Sequence, residues 1–226
     1  MTDLRLLSYN VHGQRDDSYA LHRLVRDLDP DVMCVQEAPK YLRWRSRIAA
    51  LARECGLFYV SGGGTTGGTA LLVHLRVAVE RRAELALSSR FGLPDRGVAA
   101  AVVRVRGARL AVASLHLPLP AGARVGQARR ALDVLRLGGV STMVAAGDLN
   151  ERPSGPVWAY LDQEGLRDLG KGTGPTFPAV HPDRRIDGAF ATSDVEVLDY
   201  RVVDDPRVRR ASDHRPLLVT VRVPGN

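Results

Sequence analysis

Six strand-like stretches of this chain end in, or carry, a side chain able to bind a metal ion or a phosphate. Asn10 follows the apolar start of SYNVHG, Glu37 follows VMCVQ, and His116 ends LAVASLH. Asp148 and Asn150 come after TMVAAG, Asp187 sits in RRIDGAF, and Ser212, Asp213 and His214 stand just ahead of the last apolar run, PLLVTV. Carboxylates and amides of this kind are hard oxygen ligands or water holders, and imidazoles take or give a proton near neutral pH. Each residue alone has a plainer reading. An Asn or Asp at a strand end ordinarily opens a turn, SDH can form an Asx turn, and His116 can be a satisfied core histidine. Glu37 and Asp187 differ, because an acid in a run fit for burial costs on the order of several kcal/mol unless it is paired or binds a metal. A separation of two places Asp148 and Asn150 on one face if the backbone stays extended, and does the same for Asn10 and His12.

The elements that must position these residues follow from the hydrophobic period. Residues 4–9 (LRLLSY) and 31–36 (DVMCVQ) read as buried strands around a helical pattern, SYALHRLVRDLD. A second helical pattern, YLRWRSRIAALARECG, stops at Gly56, and the short strand LFYV then runs into SGGGTTGGT. Apolar runs follow at 69–75, 77–87, 98–105 and 109–116, the last two joined by RGA, a connection of hairpin length. Residues 121–137 form an amphipathic helix pattern ahead of a strand at 141–147, and a short helix is expected after Pro153, through GPVWAYLDQEG, with Pro153 suiting its start. Strands are expected near 186–191, 195–203 and 216–223, after a polar loop with three prolines. Helices alternating with strands, interrupted by hairpins, predict an α/β fold with mixed sheets. No repeat or linker divides the 226 residues, so a single domain over 1–226 is expected.

In this combination and order the motifs resemble the endonuclease/exonuclease/phosphatase superfamily, the deoxyribonuclease-I-like metal-dependent phosphoesterases. The resemblance runs from SYNVHG to SDHRPLLV and rests most on QE, GDLN, RIDGAF and SDHRP. It implies a four-layer α/β sandwich, two mixed β-sheets packed face to face with helices on the outside. It implies Mg²⁺ or Mn²⁺ bound by Glu37, with Asp213 as a second carboxylate near the metal and Asn10 orienting a water or phosphate oxygen there. Asp148 would hold and deprotonate the attacking water while the Asn150 amide donates to a phosphate oxygen. His214 would contact the scissile phosphate, its tautomer fixed and its pKa raised by Asp187. His116 resembles a histidine that some branches use as general acid. The glutamate that pairs with it in the deoxyribonuclease branch has no counterpart in GGTALLV.

A net charge of +7 favours an acidic partner, although only Lys40 and Lys171 are lysines and coding composition alone could produce so arginine-rich a chain. No stretch reaches the roughly 20 apolar residues of a membrane helix, and MTDLRLLSYN enters a strand pattern, so a bacterial cytoplasmic protein without stable membrane association is expected. Cys34 and Cys55 lack metal-ligand spacing and read as buried thiols. SGGGTTGGTA lacks the Gly-Lys-Ser/Thr ending of a phosphate loop, so a flexible loop at the rim of the site is expected. Arg96 is either a phosphate contact or a solvated turn residue, His12 is expected near the site through its shared face with Asn10, and Trp44 among the arginines of YLRWRSR is either a base-stacking or a core side chain. The basic charge directs the expected substrate towards a phosphodiester of DNA or RNA, cut as by an endonuclease or exonuclease. The alternative is a phosphatase or phosphodiesterase of a small phosphorylated metabolite or lipid head group. A catalytically silent nucleic-acid-binding module is the alternative of another class, against which the full set of site residues speaks.

Overall fold

Continuous aliphatic and β-branched runs build two six-stranded sheets in the computed structural model, which describes residues 1–90 and 93–225, with only the backbone of 89, 90, 93 and 94. In chain order the elements are β1 (Thr2–Asn10), α1 (Ser18–Leu28), β2 (Val32–Gln36), α2 (Trp44–Glu54), β3 (Phe58–Gly63), β4 (Thr69–Val73), β5 (Val77–Arg90) and β6 (Leu93–Val105). There follow β7 (Ala108–His116), α3 (Ala121–Arg136), β8 (Met143–Asp148), α4 (Pro156–Gln163), β9 (Arg167–Asp168), β10 (Asp187–Ala191), β11 (Glu196–Val202), α5 (Val208–Ala211) and β12 (Leu217–Val223). One sheet has the order β11-β12-β1-β2-β4-β3 and the other β5-β6-β7-β8-β10-β9. The β1–β2 and β7–β8 pairs are parallel and crossed over by α1 and α3, while the hairpin-linked neighbours are antiparallel, so both sheets are mixed.

Side chains alternate across each strand, which sorts the core into three layers. Leu4 and Leu6 of β1 face Val112 and Val144 of the opposite sheet, whereas Leu7 and Tyr9 pack under α1, α2 and α5. On the far side, α3 and α4 cover Ala113, Ala145 and Phe190 with Leu132, Leu135, Trp158 and Leu161. The result is the four-layer sandwich that the motifs imply, with helices outside. Among the described residues no helix is long and apolar enough to cross a membrane. Cys34 and Cys55 are buried free thiols, and burial raises both above their ordinary pKa.

The inner face is apolar along most of its length and turns polar at one end. Leu6 is followed on that face by Ser8 and Asn10, Cys34 by Gln36, Val112 by Ser114 and His116, and Ala146 by Asp148. Below these ends Gln36 Nε2 donates to Ser114 Oγ (3.1 Å) and Ser8 Oγ (3.4 Å), and Ser114 Oγ donates to the Val35 carbonyl (3.1 Å). This buried polar layer ties the two sheets together directly beneath the site.

Three local expectations change. The helix after residue 153 begins at Pro156, with Gly155 as its N-cap, because Pro153 lies in the preceding turn. The strands expected at 77–87 and 98–105 extend to Arg90 and back to Leu93, and the two short elements β9 and α5 carry too few residues for a periodic signal. The glycine-rich segment is not a flexible rim loop. Gly62, Gly67 and Gly68 are buried, and a Cβ on Gly62 would overlap both the Thr69 carbonyl of the neighbouring strand and Ala99 of the opposite sheet, so glycine is needed for close packing there. This segment also braces the site, since Ala38 N donates to the Gly68 carbonyl at 2.7 Å next to Glu37.

Candidate active site

Strand register assembles the site. His116 pairs with Asp148 across the parallel β7–β8 ladder, and Asp148 pairs with Asp187 across the antiparallel β8–β10 ladder. Three side chains from three adjacent strands therefore stand in a row on one inner face. From the opposite sheet, Asn10 Nδ2 reaches Asp148 Oδ2 at 3.2 Å, which closes the space between the sheets. His214 arrives on the segment before β12, held by Ser212, whose Oγ donates to the Asn10 carbonyl (2.6 Å) and accepts from His214 N (3.2 Å). Sequence reasoning assigned Ser212 no such holding role.

His214 lies between two acids. Its Nδ1 hydrogen-bonds Asp187 Oδ2 at 3.0 Å, and its Nε2 lies 3.8 Å from Asp148 Oδ2. Burial opposes a charge on this imidazole, but Asp187, through charge and hydrogen bond, followed by Asp148 and Asp213, pushes it up to about 9. Asp148 shifts in the unusual direction for a carboxylate. Burial first, and then the Asp187 charge, raise it to about 7 against the help of His214, the Asn150 backbone N–H and the Asn10 amide. A base that titrates near neutrality thus stands beside an acid that stays protonated, an arrangement suited to proton transfer and anion stabilisation.

His116 is different. Its Nε2 lies 3.5 Å from Asp148 Oδ2, but burial, then the charges of Arg96, His214 and Lys40, hold it neutral, so this contact is not an ion pair. Its buried Nδ1 has no hydrogen-bond partner among the described residues, in keeping with the missing glutamate in GGTALLV. A neutral imidazole without a carboxylate on its Nδ1 does not fit the general-acid role that the resemblance offers.

Glu37 and Asp213 face the same cleft, which has a volume of about 690 Å³. Asn10 Nδ2 lies 3.4 Å from Glu37 Oε1. Neither carboxylate has a Lys or Arg within 4.0 Å among the described residues, and His12 Nδ1 lies 4.0 Å from Asp213 Oδ1. His12, Glu37 and Asn150 each follow a strand with φ of 46°, 52° and 50°, a left-handed conformation that costs a non-glycine residue energy and gathers at functional sites. Two expectations based on extended backbone fail for this reason. His12 does not continue the face of Asn10: its N–H caps Asn10 Oδ1 (3.1 Å), its ring pairs with Asp16 (2.8 Å), and it does not line the cleft. Asn150 does not simply continue the face of Asp148; its N–H donates to Asp148 Oδ1 (2.8 Å) and its Nδ2 to the Leu117 carbonyl (2.9 Å), although it still lines the cleft.

Arg96 lines the cleft, with Nε on the Leu117 carbonyl at 3.2 Å. Residues without a sequence signal complete the walls. Phe177 packs on the His214 ring (centroids 4.7 Å apart) under the Arg184 guanidinium, and Arg124 is held by Glu151 at 3.2 Å. Phe177, Arg184 and Glu151 lie in loops and Arg124 in the first turn of α3, where no period or spacing marks them. Ligand atoms of Asp148, Asp187 and His214 also fall within 4.8 Å of one another, a second set that could hold an ion. His214 Nδ1 is already engaged by Asp187 in that set, so Glu37 and Asp213 are the freer donors.

A four-layer α/β sandwich with a buried histidine between two acids and further carboxylates in one cleft defines a phosphoesterase fold. The chain belongs to the Endonuclease/Exonuclease/phosphatase family, whose profile matches residues 7–214. Members of this family are metal-dependent hydrolases of phosphate esters. No curated protein matches the chain. Among solved structures, an endonuclease/exonuclease/phosphatase from Bacteroides vulgatus is 17% identical with a TM-score of 0.81, covering 99% of this chain and 100% of that one. Mannosyl-6-phosphatase Bt3783 of Bacteroides thetaiotaomicron is 19% identical (TM-score 0.79, 97% and 99% covered). D. rerio TDP2 complexed with single-strand DNA product is 18% identical (TM-score 0.75, 99% and 100% covered). At these identities the likeness is one of fold.

Proposed function

We propose that this protein is a divalent-metal-dependent phosphodiester hydrolase acting on nucleic acid. The observation that carries this reading is a cleft with basic side chains on both sides of the catalytic group. Arg124, Arg152 and Arg184 line one side, and past Glu37 and Arg96 the cleft opens into a second groove of about 290 Å³ lined by Arg15, Lys40 and Arg47. Arg15, Arg47 and Arg152 pair with no carboxylate among the described residues, unlike Lys40, Arg124 and Arg184. A nucleic acid carries phosphates on both sides of the scissile one, whereas a small monoester leaves the second groove unused.

Glu37 and Asp213 offer hard oxygen donors, both carboxylates lacking a Lys or Arg partner among the described residues, and the pair fits Mg²⁺ or Mn²⁺, with the Asn10 Nδ2 beside Glu37 placed to orient a water or phosphate oxygen there. When bound, such an ion neutralises negative charge on the phosphate and leaving oxygens. Asp148 accepts the proton of the attacking water, its pKa of about 7 being matched to neutral pH. His214, anchored through Nδ1 on Asp187, presents a charged Nε2–H to a non-bridging oxygen. Asn150 keeps its second Nδ2 hydrogen for another phosphate oxygen.

The test is hydrolysis of bis-p-nitrophenyl phosphate against p-nitrophenyl phosphate with Mg²⁺, Mn²⁺ or chelator. Metal-dependent diester cleavage is expected, with DNA or RNA cleavage following. Preference for the monoester would move the reading to a phosphatase, turnover in excess chelator would remove the metal, and nucleic-acid binding without turnover would indicate a silent module.

A further inference from the structure

We infer that a single-stranded nucleic acid leaves the active site along a track over the first turn of α2 and stacks its bases at the open edge between the two sheets, an inference that rests on the phosphodiesterase reading. Arg47 of that turn lines the second groove beside the site. Trp44 and Arg45 of the same turn line the next depression, about 420 Å³, together with Tyr59 of β3 and Arg82 of β5. Tyr59 and Arg82 then border a further groove of about 430 Å³ that includes Phe58.

The chemistry of these grooves matches an unstacked strand. Phe58 and Tyr59 are 54% and 37% exposed, a cost for aromatic rings on an edge strand that packing within this chain does not offset. The Trp44 ring rests on Gly63 and Gly64, where any Cβ would overlap it, and the Arg45 guanidinium covers it at 4.3 Å. Acids nearby are already engaged: Glu80 by Arg104 and Arg109, and Glu84 by the Gly62 N–H at 2.7 Å. Arg45 and Arg82 pair with no carboxylate among the described residues and are free for phosphates. Aromatic faces interleaved with arginines are how single strands are held without regard to sequence, and the bases of a duplex, stacked on one another, cannot use them.

The experiment uses Asp148→Asn protein with a fluorescent oligothymidylate, followed by anisotropy over a range of salt, and bis-p-nitrophenyl phosphate turnover in the wild-type background. Adding Tyr59→Ala should weaken oligothymidylate binding about tenfold and leave a duplex of equal length unaffected. Arg45→Ala with Arg82→Ala should flatten the salt dependence, with the slope of log K against log salt falling by about 1.4 for two lost phosphate contacts. Turnover of bis-p-nitrophenyl phosphate, which reaches only the scissile position, should be unchanged by all three. Oligothymidylate that does not bind, or binds the track variants as tightly as their parent, overturns the track whatever the hydrolysis result. Binding with the expected losses but no diester hydrolysis overturns the phosphodiesterase reading and leaves the track standing.

Discussion

Asp148→Asn should remove hydrolysis and, in metal-free protein, make the fold more stable. Burial and the Asp187 charge raise this carboxyl from 3.8 to about 7. That is about three units, each worth about 1.4 kcal/mol. The sign follows from linkage. Below about pH 4 the group is protonated in both folded and unfolded chains and carries no penalty. Between about pH 4 and 7 it ionises in the unfolded chain while the fold keeps it neutral, so stability falls as pH rises and levels off above about 7. A neutral amide of the same shape escapes the penalty and keeps an oxygen for the Asn150 N–H, now 2.8 Å from Asp148 Oδ1. The gain near pH 8 is on the order of 2–4 kcal/mol, the lower end allowing for a less well matched amide. For a chain of this size that is a rise in Tm of roughly 4–16 °C. The assay is thermal unfolding by circular dichroism in chelator at about pH 4 and pH 8, with diester hydrolysis measured in parallel. An equal or lower Tm near pH 8, or a gain of the same size at both pH values, would show that Asp148 is not held at the cost of stability.

Asp187→Asn removes the charge and the hydrogen-bonded carboxylate that do most to raise His214 against burial, while Asp148 and Asp213 remain. The imidazole should then titrate below about 9, as read by NMR of the ring nitrogens in metal-free protein, and an unchanged titration would break the assigned pair. Gly147→Ala tests the register that aligns His116, Asp148 and Asp187. A Cβ there would overlap the Leu115 carbonyl of the neighbouring strand, so about 3 kcal/mol or more of stability should be lost, and a chemical-denaturation midpoint equal to wild type would contradict that packing.

The sequence by itself determined the strands and most of the helices, because aliphatic runs of strand length and helical spacing of apolar residues are local signals. It also marked the candidate site residues. Asn10, Glu37, His116, Asp148 and Asp187 stand where an apolar inner face gives out, and an acid in such a place announces itself by the cost of burying it. Only the tertiary structure decided how those residues meet. Ladder register put Asp187 and His116 on either side of Asp148, and sheet packing brought Asn10 to within 3.2 Å of it from a strand 138 residues away. The left-handed turns at His12 and Asn150 were hidden because neither is a glycine, and they moved both side chains off the faces that extended spacing predicts. The inversion of charge preferences, with Asp148 raised to about 7 and His214 to about 9, depends on how fully each group is removed from water and on which charge lies beside it. Those are properties of three-dimensional packing, and no spacing along the chain encodes them.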